Sequence, residues 1–112
     1  MAASQRVLDT FLEAVRIDSP SGEEARFGLW CAQRLQQLGF RIRFDGTADA
    51  AGSNTGNLIA DRVGEADGLR VVLSAHLDTV EPGRGIRPVV EDGVVRSSGD
   101  TVLGADDKAG VA

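Results

Sequence analysis

The first forty residues place apolar side chains at the spacing of two amphipathic helices. Between residues 5 and 17, apolar positions recur three and four apart with charged residues between them, which predicts a first helix. The segment 18–20, Asp-Ser-Pro, ends that helix. Ser21 and Glu24 have the spacing of a capping box, so a second helix is predicted to follow and to end before Gly39, a favourable C-terminal cap.

The pattern then changes from helical spacing to alternation and short apolar runs. Residues 40–44 alternate strictly and predict a half-buried strand, and residues 57–61 predict a second strand. The run 70–75 is nearly continuous in apolar residues, which is typical of an inner strand covered on both faces. Residues 89–96 predict a hairpin around an Asp-Gly turn. From about Asp107 the pattern predicts a helix that is cut off after one turn.

These elements indicate an α/β domain whose last element is incomplete. At 112 residues the chain is one domain or part of one. Because a natural domain rarely stops one turn into a helix, we expect residues 1–112 to be part of a larger domain. No internal repeat, linker or low-complexity segment divides the chain.

The composition limits which binding partners and which cellular compartment are expected for this protein. The apolar content is 42% and the net charge is −5, with no cluster of Lys or Arg, which argues against a nucleic-acid or anionic-membrane surface. Cys31 is the only cysteine, so no internal disulfide forms and a reducing compartment is indicated. The N-terminus has no apolar stretch typical of a leader, and no run approaches the length of a membrane span. We therefore expect a cytoplasmic protein.

A histidine and an aspartate directly follow the predicted inner strand. His76 and Asp78 lie two residues apart, so in an extended segment both point to the same side. Neutral imidazole is the commonest metal ligand, and a nearby carboxylate can orient its ring or a metal-bound water. Taken alone, this common pattern is better explained by a histidine that ends a strand and makes a hydrogen bond than by a metal ligand.

Two adjacent acids lie near the C-terminal end, between glycines. Asp106 and Asp107 precede Lys108 and fall where the last helix is predicted to start. Carboxylates at such a position are favoured by capping and by the helix dipole, which alone would explain them. The functional alternative is that one carboxylate bridges two metal ions, since two-metal hydrolases hold their ions about 3.5–4 Å apart.

The two motifs together are far more specific than either alone. His-x-Asp-Thr-Val, followed thirty residues later by Gly-Ala-Asp-Asp-Lys-Ala-Gly, resembles the metal-dependent aminopeptidase, acylase and carboxypeptidase superfamily, in particular its peptidase T branch. The resemblance covers nearly the whole chain, in the segments 18–24, 55–59, 76–80, 82–88 and 103–110. It implies the N-terminal part of a zinc-exopeptidase catalytic domain, an α/β fold in which two helices precede a mixed sheet whose inner strand leads to the metal site.

The resemblance also implies roles for individual residues. His76 would bind one zinc ion, and Asp78 would be the catalytic residue that orients the site. Asp106 would bridge two zinc ions, and Asp107 would have capping or outer-sphere work. Lys108 matches the motif but receives no role from it.

The activity implied by the resemblance is removal of the N-terminal residue from short peptides at a two-zinc site, with cobalt or manganese as substitutes for zinc. Such enzymes also need a Glu-Glu pair, another acidic ligand, a late histidine and a lid-like second domain that often forms a homodimer. None of these follows His76 and Asp106 here, so we expect the 112-residue chain alone to be inactive.

Three other interpretations stay open from the sequence. The full-length protein could be an amidohydrolase that acts on N-acyl amino acids or another amide. It could be a homologue that binds peptides without cutting them. The chain could also be an isolated fragment without activity, with unpaired strand edges that favour association.

Several further residues have simpler interpretations. Trp30 and Cys31 lie on the apolar face of the second helix and are predicted to belong to the core. Ser19 and Ser21 have only one histidine in the chain to pair with, which argues against a serine nucleophile. Arg84 is predicted to be a solvated loop arginine rather than a substrate contact.

Overall fold

The computed structural model of the protein describes residues 3–112, with side chains from residue 4 onward. The first two residues, on which part of the leader expectation rests, lie outside this range. The elements in chain order are α1 (Ala3–Val15), α2 (Ala25–Gln37), β1 (Arg41–Phe44), α3 (Ala48–Ala51), β2 (Leu58–Asp61), β3 (Pro88–Glu91), β4 (Val94–Ser97) and α4 (Ala105–Val111). No helix within this range is long and apolar enough to cross a membrane.

Both long helices predicted from the apolar spacing are present. The C-terminal cap of α2 is confirmed: Gly39 has a φ of +87°, its N–H donates to the Gln36 carbonyl at 2.9 Å, and Phe40 N–H donates to the Leu35 carbonyl at 3.0 Å. A positive φ of this kind is adopted by glycine without the steric cost of a Cβ. The chain therefore turns sharply from α2 into β1.

The predicted capping box at the start of α2 is wrong. The first helical residue, Ala25, donates its N–H to Asn54 Oδ1 at 2.9 Å, so the cap comes from a distant loop. Glu24 accepts instead from Gly22 N–H at 2.8 Å, and Ser21 donates to Asp78. Local capping is outcompeted here because Ser21 pairs with Asp78, and Glu24 also accepts from the distant Ser53 hydroxyl.

Strand pairing is local and antiparallel, in two separate sheets. In one sheet β1 pairs with β2, and in the other β3 pairs with β4. The second sheet is the predicted hairpin, whose turn residues Asp92 and Gly93 have φ values of 51° and 75°, as a two-residue hairpin turn requires. The expected mixed sheet is not formed within residues 3–112, so the domain is a small α/β assembly with two two-stranded ribbons.

The predicted inner strand at residues 70–75 is not a strand in this structure. Val71, Val72 and Leu73 are 79%, 87% and 92% exposed. No other strand of the described range lies beside this run, so its backbone has no ladder partners and both of its faces meet solvent. An apolar run forms an inner strand only when neighbours supply hydrogen bonds and cover, and the pattern alone could not show whether they do.

The core lies around α1, in two apolar clusters. Phe11, Val15 and Ile86 form one cluster, and Ala14, Phe27 and Cys31 form the other. Cys31 is therefore in the core as predicted, and its burial raises the pKa of its thiol to about 11. Trp30 is only partly buried and stacks on Phe27 with the ring centroids 5.6 Å apart. These contacts fix α1 against α2 and α4.

Candidate metal centre

The segment that carries His76 is held in place by a turn 58–60 residues earlier. Ser19 Oγ donates to the Leu77 carbonyl oxygen at 2.9 Å. Thr79 N–H donates to the Ser19 carbonyl oxygen at 2.8 Å, and Pro20 and Thr79 form an isolated parallel bridge. Ser19 and Thr79 are both buried. The chain on either side of Asp78 is thus anchored by buried hydrogen bonds, while His76 stays half exposed.

The start of α4 supplies the acidic part of the site. Gly104 precedes the helix with a φ of +84°, and a Cβ there would lie 3.3 Å from Thr79 Cγ2, so the two segments approach closely. Asp106 and Asp107 have non-helical dihedrals (φ −93°, ψ 101° and φ −118°, ψ 29°), and the peptide bond between them is cis. Regular helix therefore begins only at Lys108, whose side chain is buried.

Three residues singled out by the sequence meet at this place. His76 Nδ1 lies 2.9 Å from the Asp78 carbonyl oxygen and 3.1 Å from Asp78 Oδ1. Both of these oxygens are acceptors, so Nδ1 must carry the hydrogen. His76 Nε2 lies 2.8 Å from Asp106 Oδ1. Asp106, and not its neighbour Asp107, is the acid that faces the imidazole.

The charges around the imidazole favour its protonated form. The hydrogen bond to Asp106, followed by the backbone and side-chain hydrogen bonds to Asp78, raises the pKa of His76. The Ser21 hydroxyl, which donates to Asp78 Oδ2 at 2.5 Å, holds the pKa of Asp78 below its usual value, and His76 adds to this effect. The imidazole of His76 thus lies between the side chains of Asp78 and Asp106 in an open cleft of about 290 Å³.

The donor atoms fit a divalent cation as part of its ligand set. With the hydrogen on Nδ1, the His76 Nε2 lone pair faces an Asp106 oxygen at 2.8 Å, so the two atoms can approach one cation together. Imidazole nitrogen and carboxylate oxygen are both ordinary zinc ligands. Among residues 3–112 no group of three or more His, Cys, Asp or Glu side chains could hold a metal ion, so the set is incomplete.

The chain as a whole is similar to known proteins. No protein-family model matches the chain. The uncharacterized protein YqjE of Bacillus subtilis (strain 168) is 42% identical over 112 residues, which is all of this chain and 30% of YqjE. Two solved structures, each 37% identical, superpose closely. They are aminopeptidase PepT from Bacillus cereus ATCC 10987, with a TM-score of 0.88, and a tripeptidase from Staphylococcus aureus subsp. aureus Mu50, with a TM-score of 0.93.

The chain is similar to a segment of peptidase T. It is covered to 93% by PepT and 99% by the tripeptidase, and it spans 28% and 30% of those chains. The resemblance to the peptidase T branch is thereby confirmed. Both solved neighbours are peptidases by name. The chain spans less than one third of the length of each relative.

The contacts that hold the candidate site together were not predicted from the sequence. Ser21 was expected to cap a helix, yet it donates to Asp78. Lys108 had no expected role, yet its ammonium donates to the Ile17 carbonyl oxygen at 2.5 Å and lies 4.4 Å from the Phe27 ring centroid. Burial lowers the pKa of this ammonium to about 8. The only available signal was that Ser21 and Lys108 both fall inside the segments that resemble the family.

Arg84 is an exposed loop arginine, as predicted, and it also forms two ion pairs. Its guanidinium donates to Glu81 at 2.9 Å and also pairs with Glu23, and these two carboxylates raise the pKa of Arg84. The arginine therefore joins the loop after Thr79 to the start of α2. A side chain that already pairs with two acids has little capacity to bind a substrate carboxylate as well.

Proposed function

We propose that this chain supplies the first half of a two-zinc site in an exopeptidase that removes the N-terminal residue from short peptides. The observation that carries the proposal is the convergence of His76 Nε2 and Asp106 Oδ1 at 2.8 Å, from motifs thirty residues apart. Adjacent acids placed only to cap a helix would have no reason to face a histidine whose other nitrogen is held by Asp78.

Each of the three residues has a separate role in this proposal. His76 would hold one zinc ion through Nε2, and Asp106 would be a ligand shared by both ions. Asp78 accepts the hydrogen bond from Nδ1–H, which keeps the lone pair on the nitrogen that faces the metal. A bound metal pair would activate water and polarise the scissile carbonyl.

The chain by itself falls short of the complete machinery. Zinc sites use three or four protein ligands, and a hydrolase also needs a general base within reach of the water. Residues 3–112 bring together fewer ligands than that, so the remaining ligands and the base would come from sequence outside this segment. We therefore propose that the 112-residue chain alone does not turn over substrate.

The substrate class is proposed from the solved neighbours, an aminopeptidase and a tripeptidase that are each 37% identical to this chain. Short peptides with a free N-terminus are the proposed substrates, and cobalt or manganese could replace zinc. A homodimer of the full-length protein and a cytoplasmic location are part of the same proposal. A single cysteine, buried as a thiol, fits a reducing compartment.

The test uses hydrolysis and metal content together. Two polypeptides, the 112-residue chain and the same reading frame continued to its stop codon, are assayed with zinc on a tripeptide and on its N-acetylated twin. Cleavage of the free peptide alone, by the longer polypeptide alone, is the expected result. In that longer polypeptide, His76→Ala and Asp106→Ala should abolish turnover and reduce bound zinc, while Asp100→Asn, an exposed control acid, should change neither.

Each other outcome points to a different function. Cleavage of only the acetylated peptide would identify an amidohydrolase for N-acyl substrates. Zinc binding without cleavage of either peptide would identify a non-catalytic homologue. Unchanged turnover in both the His76 and the Asp106 variants would refute the proposed site.

A further inference from the structure

A short turn, formed by residues 17–21, contacts the segment that carries the imidazole. The buried Ser19 donates to the Leu77 carbonyl oxygen at 2.9 Å. The exposed Ser21 donates to Asp78 Oδ2 at 2.5 Å. Asp78 uses its other carboxylate oxygen to hold the imidazole Nδ1–H, so the turn reaches the imidazole through one intervening carboxylate.

The same turn is held from its other end by Lys108. The Lys108 ammonium donates to the Ile17 carbonyl oxygen at 2.5 Å, across 91 residues of sequence. Its Nζ also lies 4.4 Å from the centroid of the Phe27 ring, within the range of a cation–π contact. The side chain is 0% exposed, so the start of α4 is fixed to the turn by a buried contact.

A buried lysine is an expensive choice if packing is the only need. Moving an ammonium out of water costs free energy that one carbonyl and one ring offset only in part. Lys108 is also the only lysine among the twelve basic residues of the chain, and every other basic residue is an arginine. An apolar side chain of similar length would fill this space at lower cost, but it could not grip the Ile17 carbonyl.

The direction of the Asp106 side chain depends on the hydrogen bond from Lys108 to the Ile17 carbonyl oxygen. Asp106 and Asp107 have non-helical dihedrals, so regular helical hydrogen bonding does not orient their side chains. The residues on either side are fixed instead: Gly104 packs against Thr79, and Lys108 is tied to the turn. Asp106 is therefore suspended between two anchors while its own carboxylate stays almost fully exposed.

We propose that residues 17–21 act as a positioning element for the proposed metal site. The turn holds the start of α4, and with it Asp106, through Lys108. It holds the His76 ring through Ser21 and the carboxylate to which Ser21 donates. Because the turn contacts both the His76 segment and the start of α4, it sets the separation of the His76 imidazole and the Asp106 carboxylate. The inference deepens the proposed function and rests on it.

The experiment removes, one at a time in the full-length protein, the two side chains that connect the turn to the site. Lys108→Met keeps the stem of the side chain and removes the ammonium, and Ser21→Ala removes one exposed hydroxyl. Zinc affinity is measured by competition with a chromophoric chelator, and kcat and KM are measured on the tripeptide. Partners that orient metal ligands typically change metal affinity or activity by about 10–100-fold. We expect each variant to bind zinc that much more weakly, with kcat reduced and KM little changed.

The matched control is Arg34→Met on α2. Arg34 also places its cation over an aromatic ring, 4.9 Å from the Trp30 centroid, but it contacts neither the turn nor the site. Urea unfolding shows which variants are folded, and affinities are compared only among folded proteins. Normal zinc affinity in a folded Lys108→Met or Ser21→Ala variant, or an equal loss in Arg34→Met, would overturn the proposal. If Lys108→Met does not fold, Ser21→Ala decides the question alone.

A second readout separates this inference from the proposed function. If the unmodified protein binds no zinc, the proposed function fails, but the positioning element can still be tested in metal-free crystals. The distance from His76 Nε2 to Asp106 Oδ1, 2.8 Å here, should increase by more than about 0.5 Å in Lys108→Met or Ser21→Ala crystals. An unchanged distance in both would refute the positioning role.

Discussion

Replacement of Phe27 by alanine should destabilise this chain more than other single truncations in the same helix. Phe27 is fully buried, stacks on Trp30 and carries the Lys108 ammonium over its ring. Truncating a buried phenylalanine costs about 3–5 kcal/mol. A domain of 112 residues has about 6–17 kcal/mol in total. Since only seven apolar residues of the described range are buried, the lower end applies and most of the stability should be lost.

The assay is urea unfolding followed by the fluorescence of Trp30, the only tryptophan. Leu29→Ala is the matched control, because Leu29 is an apolar residue of the same helix that is 55% exposed, and its truncation should cost less than about 0.5 kcal/mol. A cost below about 1 kcal/mol for Phe27→Ala, or costs that are equal in the two variants, would refute this account of the core.

A double-mutant cycle tests the contact between Phe27 and Lys108 directly. A desolvated cation–π pair contributes about 2 kcal/mol, so the combined Phe27→Leu and Lys108→Met variant should deviate from additivity by about 1–2 kcal/mol. Strict additivity would mean that the ring does not stabilise the ammonium.

Three further predictions concern other parts of the fold. Burial raises the pKa of the Cys31 thiol to about 11, so Cys31 should react with a disulfide reagent far more slowly at pH 8 in the folded chain than in urea. Its contribution to stability is complete below the ordinary value of 9.0 and is lost as the pH rises through 11, which alkaline unfolding curves of a Cys31→Ala variant should reveal. Hydrogen bonds from Thr47 and Asn57 hold the pKa of Asp45 well below its ordinary value of 3.8. The ionised Asp45 therefore stabilises the fold fully above pH 3.8, and this stabilisation is lost as the pH falls further. In acid unfolding curves, an Asp45→Asn variant should lack this pH-dependent loss of stability. Gly56→Ala should destabilise strongly because the added Cβ would overlap the Asp45 carbonyl oxygen, whereas Gly46→Ala, where the Cβ meets open space, should not; equal urea midpoints would contradict this.

Local pattern predicted the elements whose structure is determined locally. The spacing of apolar residues placed α1 and α2 to within a few residues, and the Asp-Gly turn placed the β3–β4 hairpin. The run 70–75 had an equally clear pattern, but a strand depends on neighbours, and none lies beside it here. The capping box failed for a similar reason, because Ser21 has a tertiary partner in Asp78 that outcompetes the local one.

The candidate site divides in the same way. His76, Asp78 and Asp106 could be named from two motifs and a family resemblance, and the structure places all three in contact. The support beneath them could not be named. The bond from Lys108 to Ile17 spans 91 residues, and no periodicity or spacing relates two positions so far apart.

The turn of residues 17–21 has a consequence for the stretch between the two motifs. Because His76 and Asp106 are both positioned by contacts to that turn, their separation does not depend on the length of the thirty residues that connect them. The hairpin tip, Asp92 and Gly93, is exposed and lies in this connection, while Val95 packs on the core. A peptide inserted at the tip should therefore leave the imidazole and its facing carboxylate undisturbed, which makes the tip a suitable place to attach a fluorophore or an affinity tag.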